Sequence, residues 1–246
     1  MSNQQDHIAA HLLSSKSLPV SPTWLHNFLS SSSSSSFSST SQRNIPISAL
    51  TQTALFRILN SDFRQSLVAR NDSTVLPTDA YDPHVQERCI RGPIPVQVLD
   101  IEDIGTSLWN QVEEIERVER GEAIRGRQIV RTVTVGEENQ DSAPAAGAGA
   151  SDSHGPHRLI IQDAAGTRAV AIEMQRVNGI AVNKLPIGAK LLLRNVTAAR
   201  GMILLTPENV TILGGKIDSM DQAWRLGRKA RLLEKVPGPG GDRLAG

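Results

Sequence analysis

Ile94-Pro95-Val96-Gln97-Val98-Leu99-Asp100-Ile101 is the stretch at which apolar residues stop recurring at helical spacing and begin to alternate. Alternation of period two is the pattern of a half-buried strand. Further runs rich in β-branched residues or Leu follow: Arg158 to Gln162, Arg168 to Gln175, Lys190 to Val196, Met202 to Thr206 and Asn209 to Leu213. The separators carry turn chemistry, as in Asp163-Ala164-Ala165-Gly166, Pro186-Ile187-Gly188 and Ala199-Arg200-Gly201. Short strands with hairpin-type connections across 92–215 predict a small closed or half-closed barrel.

Upstream, 21–91 reads as helical. Ser21-Pro22-Thr23 before Trp24, Leu25, Phe28 and Leu29 offers a helix cap, a proline in the first turn and one apolar face. Pro46, Ile47, Leu50, Leu55, Ile58, Leu59 and Phe63 keep helical spacing, which predicts a helix from Ile47 to about Asn60 and a short one from Asp62 to Val68. These would pack as a small N-terminal three-helix bundle. A Ser-rich insert at 30–41 cannot bury enough apolar area to offset its ordering entropy and is expected to be flexible, as are 1–20 and 237–246. Beyond the last strand, Gly214-Gly215 breaks the pattern, and Ile217, Met220, Trp224, Leu226, Leu232 and Leu233 predict a C-terminal helix over 216–236. The fold class is α+β.

A short helix carrying Trp109, Val112 and Ile115 follows the first strand, with Glu113, Glu114, Glu116 and Arg117 as its solvated face. Next comes an insertion loop, 119–157. Gly136 to Gly155 is rich in Gly, Ala, Ser and Asp, the composition of a disordered linker. Relative to a ten-residue loop, roughly forty residues cost about 1.2 kcal/mol more to close, and their ends would separate by roughly 30–40 Å. Arg125, Arg127 and Arg131 have no acidic residue among them, and Ile129, Val133 and Val135 alternate beside them. That pattern suits either an extended partner contact or an Arg-bearing solubilising loop.

Composition narrows the function. Only 3% of the 246 residues are aromatic and the net charge is +1, so the barrel needs an aliphatic core and exerts no global attraction on DNA. One cysteine, Cys89, excludes an internal disulfide. Paired with His84 it would be a conceivable nucleophile, but it reads as an incidental thiol. His154 and His157 lack further ligands at metal spacing and read as solvated loop residues. No phosphate-binding glycine loop occurs, and no catalytic residue, metal or cofactor is expected. Met1 to Ser15 lacks a basic segment followed by an apolar one, and Ser2 excludes myristoylation, so a soluble intracellular protein is expected. The N-x-S/T matches at Asn71, Asn195 and Asn209 are then chance, two of them in strand-like sequence.

Leu205-Thr206-Pro207-Glu208-Asn209-Val210-Thr211-Ile212-Leu213-Gly214-Gly215-Lys216-Ile217-Asp218 closely resembles the last barrel strand and exit of the RecQ-mediated genome instability proteins, OB-fold subunits of complexes containing a RecQ helicase and a type IA topoisomerase. Leu185-Pro186-Ile187-Gly188-Ala189-Lys190-Leu191-Leu192-Leu193, Gly92-Pro93-Ile94-Pro95-Val96-Gln97-Val98 and the helical region with Trp24-Leu25 resemble the same family. The resemblance spans most of 20–235 and implies an OB-fold barrel. It also implies a non-catalytic, nuclear scaffold that binds a type IA topoisomerase and a RecQ-family helicase and promotes double Holliday junction dissolution, limiting crossovers. In that family the long loop between the first two barrel strands reaches the topoisomerase. Here Arg125, Arg127, Ile129 and Val133 would be the contacting residues. Larger members carry a second OB domain; this chain ends soon after the first, so the partners of that second domain are not expected.

The rival reading is an OB-fold single-stranded DNA-binding protein, which needs a basic groove and stacking aromatics. The only aromatic from Ile94 to Gly214 is Trp109, outside the strands. Arg158, Arg168, Arg176, Lys184, Lys190, Arg194 and Arg200 outnumber Asp163, Glu173 and Glu208, which supports weak, salt-sensitive phosphate contact. Lys184, Lys190, Arg194 and Arg200 are the candidate DNA contacts, auxiliary to protein binding. Arg225, Arg228, Lys229, Arg231 and Lys235 read as a solvated helix face.

Overall fold

A computed structural model describes residues 2–34, 46–69, 74–121 and 155–236. The chain begins with α1 (Ser2–Lys16), α2 (Pro22–Ser34), α3 (Ile47–Leu59) and the single turn α4 (Phe63–Ser66). Ile8, Leu12, Leu18, Leu25, Phe28, Ala54, Ile58 and Phe63 fill their common core. An isolated bridge between Val20 and Leu67 ties the exit of α1 to the exit of α4.

Two sequence expectations fail here. The N-terminus is not flexible over 1–20: α1 is a fourth helix, and its Ile8 and Leu12, one turn apart, are buried against the others. The Ser-rich insert does not begin at Ser30, because α2 continues through Ser34. Ser30 and Ser31 bond back to the carbonyls of His26 and Phe28 at 2.9 and 2.8 Å, a local pairing that lets serine sit in a helix. Residues 35–45 lie outside the described residues.

Eight strands follow: β1 (Arg88–Ile90), β2 (Ile94–Asp103), β3 (His157–Asp163), β4 (Arg168–Glu173), β5 (Lys190–Leu193), β6 (Val196–Ala199), β7 (Met202–Leu205) and β8 (Val210–Gly214). They form one sheet in the order β1-β6-β7-β4-β3-β2-β5-β8, antiparallel except where β4 meets β7. The long β2 pairs with β3 along one side and with β5 on the other, and its register shifts between Val98 and Asp100. Such a bulge sharpens twist and lets a strand curl, so the sheet is a curled half-barrel. Its interior is aliphatic: Val96, Val98, Leu159, Ile161, Leu191, Leu193, Ile203 and Leu205 are all buried.

The run Lys190 to Val196 is two strands, β5 and β6. Asn195 breaks it with a positive φ of 49°, a conformation asparagine tolerates better than most residues. Arg200 and Gly201, at φ 50° and 80°, make the two-residue turn joining β6 to β7. Asn209 sits in a turn rather than a strand, accepting from Thr206 N and donating to Leu204 O, both at 2.9 Å.

The barrel also meets the helices. Ala164, after β3, lies in the helical core, and Leu213 of β8 packs against it. At the end of β8, Gly215 has φ 78°, and a Cβ there would stand 2.1 Å from the carbonyl oxygen of Leu59. Only glycine lets the chain pass α3 that closely. The C-terminal helix α6 spans Asp218–Lys235. Met220 and Trp224 of its first half pack on the barrel core, and Asp221 accepts from Ile187 N at 2.9 Å.

Candidate partner-binding site

The chain leaves the barrel at the end of β2 and returns at the start of β3. Asp103 lies opposite His157 in the register, and beyond it Ile104 N donates to Pro156 O at 3.0 Å. Arg158 donates to Glu102 across the same pair at 3.1 Å. His157 is 2% exposed, so it is no solvated loop residue. Its Nδ1 lies 2.6 Å from Glu173 Oε2, which also accepts from His157 N at 3.2 Å, while Glu173 Oε1 accepts from Val177 N at 2.6 Å. A buried carboxylate is tolerated only with such partners. The ends of β2 and β3 are thus held together at Ile104 and Pro156.

The segment that leaves forms α5 (Leu108–Glu119), capped by Ser107, whose hydroxyl accepts from Asn110 N at 3.2 Å. Residues 105–121 and the second half of α6 belong to a compact unit of their own. Within it Lys229 pairs with Glu119 and Glu116 at 2.6 and 3.3 Å. The hydrogen bond it donates to Glu119 holds that ammonium above the ordinary lysine range. Arg117 pairs with Glu113 at 2.7 Å on the outer face, and Trp109 is 63% exposed. Arg125, Arg127, Ile129 and Val133, with His154 and the Gly/Ala-rich stretch, lie outside the described residues.

The proposed phosphate contacts separate into two kinds. Lys184 is exposed in a turn, and Arg194 and Arg200 are exposed at opposite ends of β6. Arg194 donates to Ser17 Oγ at 3.3 Å. Lys190 must be corrected: its side chain is 0% exposed and cannot meet a phosphate. Both sides of β5 are covered, by β2 and β8 within the sheet and by Phe63 from the helices. The Lys190 Nζ donates to Gln97 Oε1 at 3.0 Å and stands 4.7 Å from the Phe63 ring centroid. Burial lowers its pKa from 10.5 to about 7, against the pull of Asp62.

Gln97 is the centre of this buried cluster. Its Oε1 also accepts from Phe63 N at 3.0 Å, and its Nε2 donates to Asp62 at 2.9 Å and to Gln162 at 3.2 Å. Burial raises the Asp62 pKa, but bonds from Arg64 and Gln97 outweigh that and leave the carboxyl below its usual range. The cluster joins the helical bundle to the barrel. Its traces in the sequence are a polar residue between Val96 and Val98 and a lysine between Ala189 and Leu191.

Among the described residues no three His, Cys, Asp or Glu side chains are grouped to hold a metal ion, and no helix is long and apolar enough to cross a membrane. Cys89 is exposed on β1.

Two family models match the chain: RMI1, N-terminal helical domain, over residues 12–66, and RMI1, N-terminal OB-fold domain, over residues 74–228. RecQ-mediated genome instability protein 1 of Schizosaccharomyces pombe is 28% identical over 189 residues, covering 74% of this chain and 77% of that protein. The matched spans contain both the helical core around Phe63 and the whole curled sheet with its insert between β2 and β3. With helices and barrel matched in the same order, this chain belongs to the RMI1 family.

Proposed function

We propose that the protein is a non-catalytic nuclear subunit that binds a type IA topoisomerase and a RecQ-family helicase and promotes dissolution of double Holliday junctions, limiting crossovers. The observation that carries this reading is the insert between β2 and β3, whose ends are held together by Ile104 and Pro156 and anchored by the His157–Glu173 pair, in a chain of the RMI1 family. A frame that holds both ends of a long segment suits partner binding, because those ends need no ordering on association. Arg125, Arg127, Ile129 and Val133 are its topoisomerase contacts, and Lys184, Arg194 and Arg200 add auxiliary phosphate contact.

Barrel strands without aromatics and a buried Lys190 weigh against single-stranded DNA binding as the main role. The test is deletion of Gly121 to Val135 in the reconstituted complex. Loss of a contacting hot spot costs about 2 kcal/mol or more, roughly thirtyfold in topoisomerase affinity, and dissolution should fall with it. Wild-type binding and wild-type dissolution after the deletion would refute the proposal.

A further inference from the structure

Away from the insert, the helical bundle carries an apolar groove between α2 and α3. Trp24 and Phe28, one turn apart on α2, stack with centroids 5.7 Å apart and planes within 5°. Across from them stands Phe56 of α3, 69% exposed, and the Arg57 guanidinium sits 5.5 Å from the Phe28 centroid. With Ser31 and Asn60 they line a cavity of about 410 Å³, open to solvent. That lies within the range of binding clefts, about 300–1,000 Å³.

Ser31 Oγ donates to Phe28 O at 2.8 Å, Ser61 Oγ to Ile58 O at 2.9 Å and Asn60 Nδ2 to Phe56 O at 2.8 Å, while Asn60 Oδ1 accepts from Lys216 N at 3.2 Å. Arg57 is the sole charged residue among those lining it, and among the described residues no carboxylate pairs with it. An arginine stacked by its face on an aromatic ring keeps its N–H edge for a carboxylate. Trp and Arg are among the residue types that dominate the energetics of protein contacts.

We propose that this groove docks a short apolar-acidic segment of a partner protein, with one large apolar side chain against Trp24 and Phe56 and a neighbouring carboxylate on Arg57. Charge complementarity selects this occupant: the groove offers one cation, no anion and an apolar floor. The site is independent of the insert and does not rest on topoisomerase binding.

The test titrates the full chain into a fluorescein-labelled twelve-residue peptide of Phe and Leu flanked by Asp and Glu, read by anisotropy, with a control peptide in which Lys replaces every acid. Phe56 and Arg57 are exposed, so Phe56→Ser and Arg57→Glu should leave the circular dichroism melt unchanged. Each should weaken the acidic peptide about tenfold or more, and Arg57→Glu should gain affinity for the Lys peptide. No binding of the acidic peptide, equal binding of both peptides, or indifference to both variants overturns the proposal. So does a self-association, measured by sedimentation, that Phe56→Ser abolishes, since the occupant would then be a second copy. Peptide binding that appears only in a Phe37→Ser variant would assign the groove to the chain itself and equally overturn it.

Discussion

Replacing Lys190 by Met should stabilise the protein at neutral and acid pH and do nothing at alkaline pH. Below pH 7 the ammonium is charged in both folded and unfolded chains, so folding bears the whole cost of burying it. Between pH 7 and 10.5 the folded chain has released a proton that the unfolded chain still holds, and stability rises with pH. Above 10.5 both are neutral and the cost is gone. A pKa lowered from 10.5 to about 7 corresponds to about 5 kcal/mol at 1.36 kcal/mol per unit, an upper limit. The cation over Phe63 returns about 1–2 kcal/mol of that, which leaves about 3 kcal/mol. Met keeps most of the lysine stem, and Gln97 Oε1 retains Phe63 N as a donor, so no buried acceptor is orphaned. Urea unfolding of Lys190→Met and wild type at intervals from pH 6 to 10.5 measures the gap. The variant should be more stable by about 3 kcal/mol at pH 6, and the two curves should converge by pH 10.5. Parallel curves, or a variant less stable at pH 6, would refute the reasoning.

Glu173→Ala should cost about 3–5 kcal/mol, because it strips the buried His157 ring and the amides of His157 and Val177 of their acceptor; chemical denaturation reads it, and a loss under 1 kcal/mol would mean water substitutes freely. Gly215→Ala should lose at least about 2 kcal/mol, since left-handed strain adds to the clash with Leu59. Gly214→Ala, at φ 86° with nothing within 4 Å of its Cβ, should lose about 1 kcal/mol from strain alone, so equal losses would remove the clash from the account. In DNA titrations across salt, Lys184→Ala and Arg200→Ala should each reduce the salt slope by about one, whereas Lys190→Met should leave it unchanged.

The strands that alternate or carry clear turn residues were legible: β2, β3, β4, β7 and β8 stand where the sequence pattern set them. β1 was not, because it is three residues long with Arg88 and Cys89 exposed, and only pairing with β6 makes it a strand. The β5–β6 break hides in a continuous apolar run, since Asn195 acts through its backbone rather than its hydropathy. Helix α1 offers only Ile8 and Leu12 as buried anchors among polar neighbours, too few for a periodic signal, and tertiary packing supplies what propensity lacks.

The candidate site was harder to read because charge and burial are different properties. Lys190 counted as a surface cation by residue type, yet Ala189, Leu191, Leu192 and Leu193 around it are buried on both faces, a context that fits an interior strand. By composition His157 reads as the last residue of the loop, and its partner Glu173 lies sixteen positions away on β4. Nothing local joins them. The Trp24–Phe56 groove likewise depends on how α2 and α3 meet.

The staple at Ile104 and Pro156 has a bearing on how such a chain changes over generations. With the ends pinned, doubling the length of chain between them costs only about 0.6 kcal/mol. A change of length between α5 and Pro156 therefore costs folding little. The barrel and α5 are held to their residues by packing, capping and ion pairs. His157, fixed by Glu173 just after the staple, begins the part of the chain that the barrel again holds to its residues.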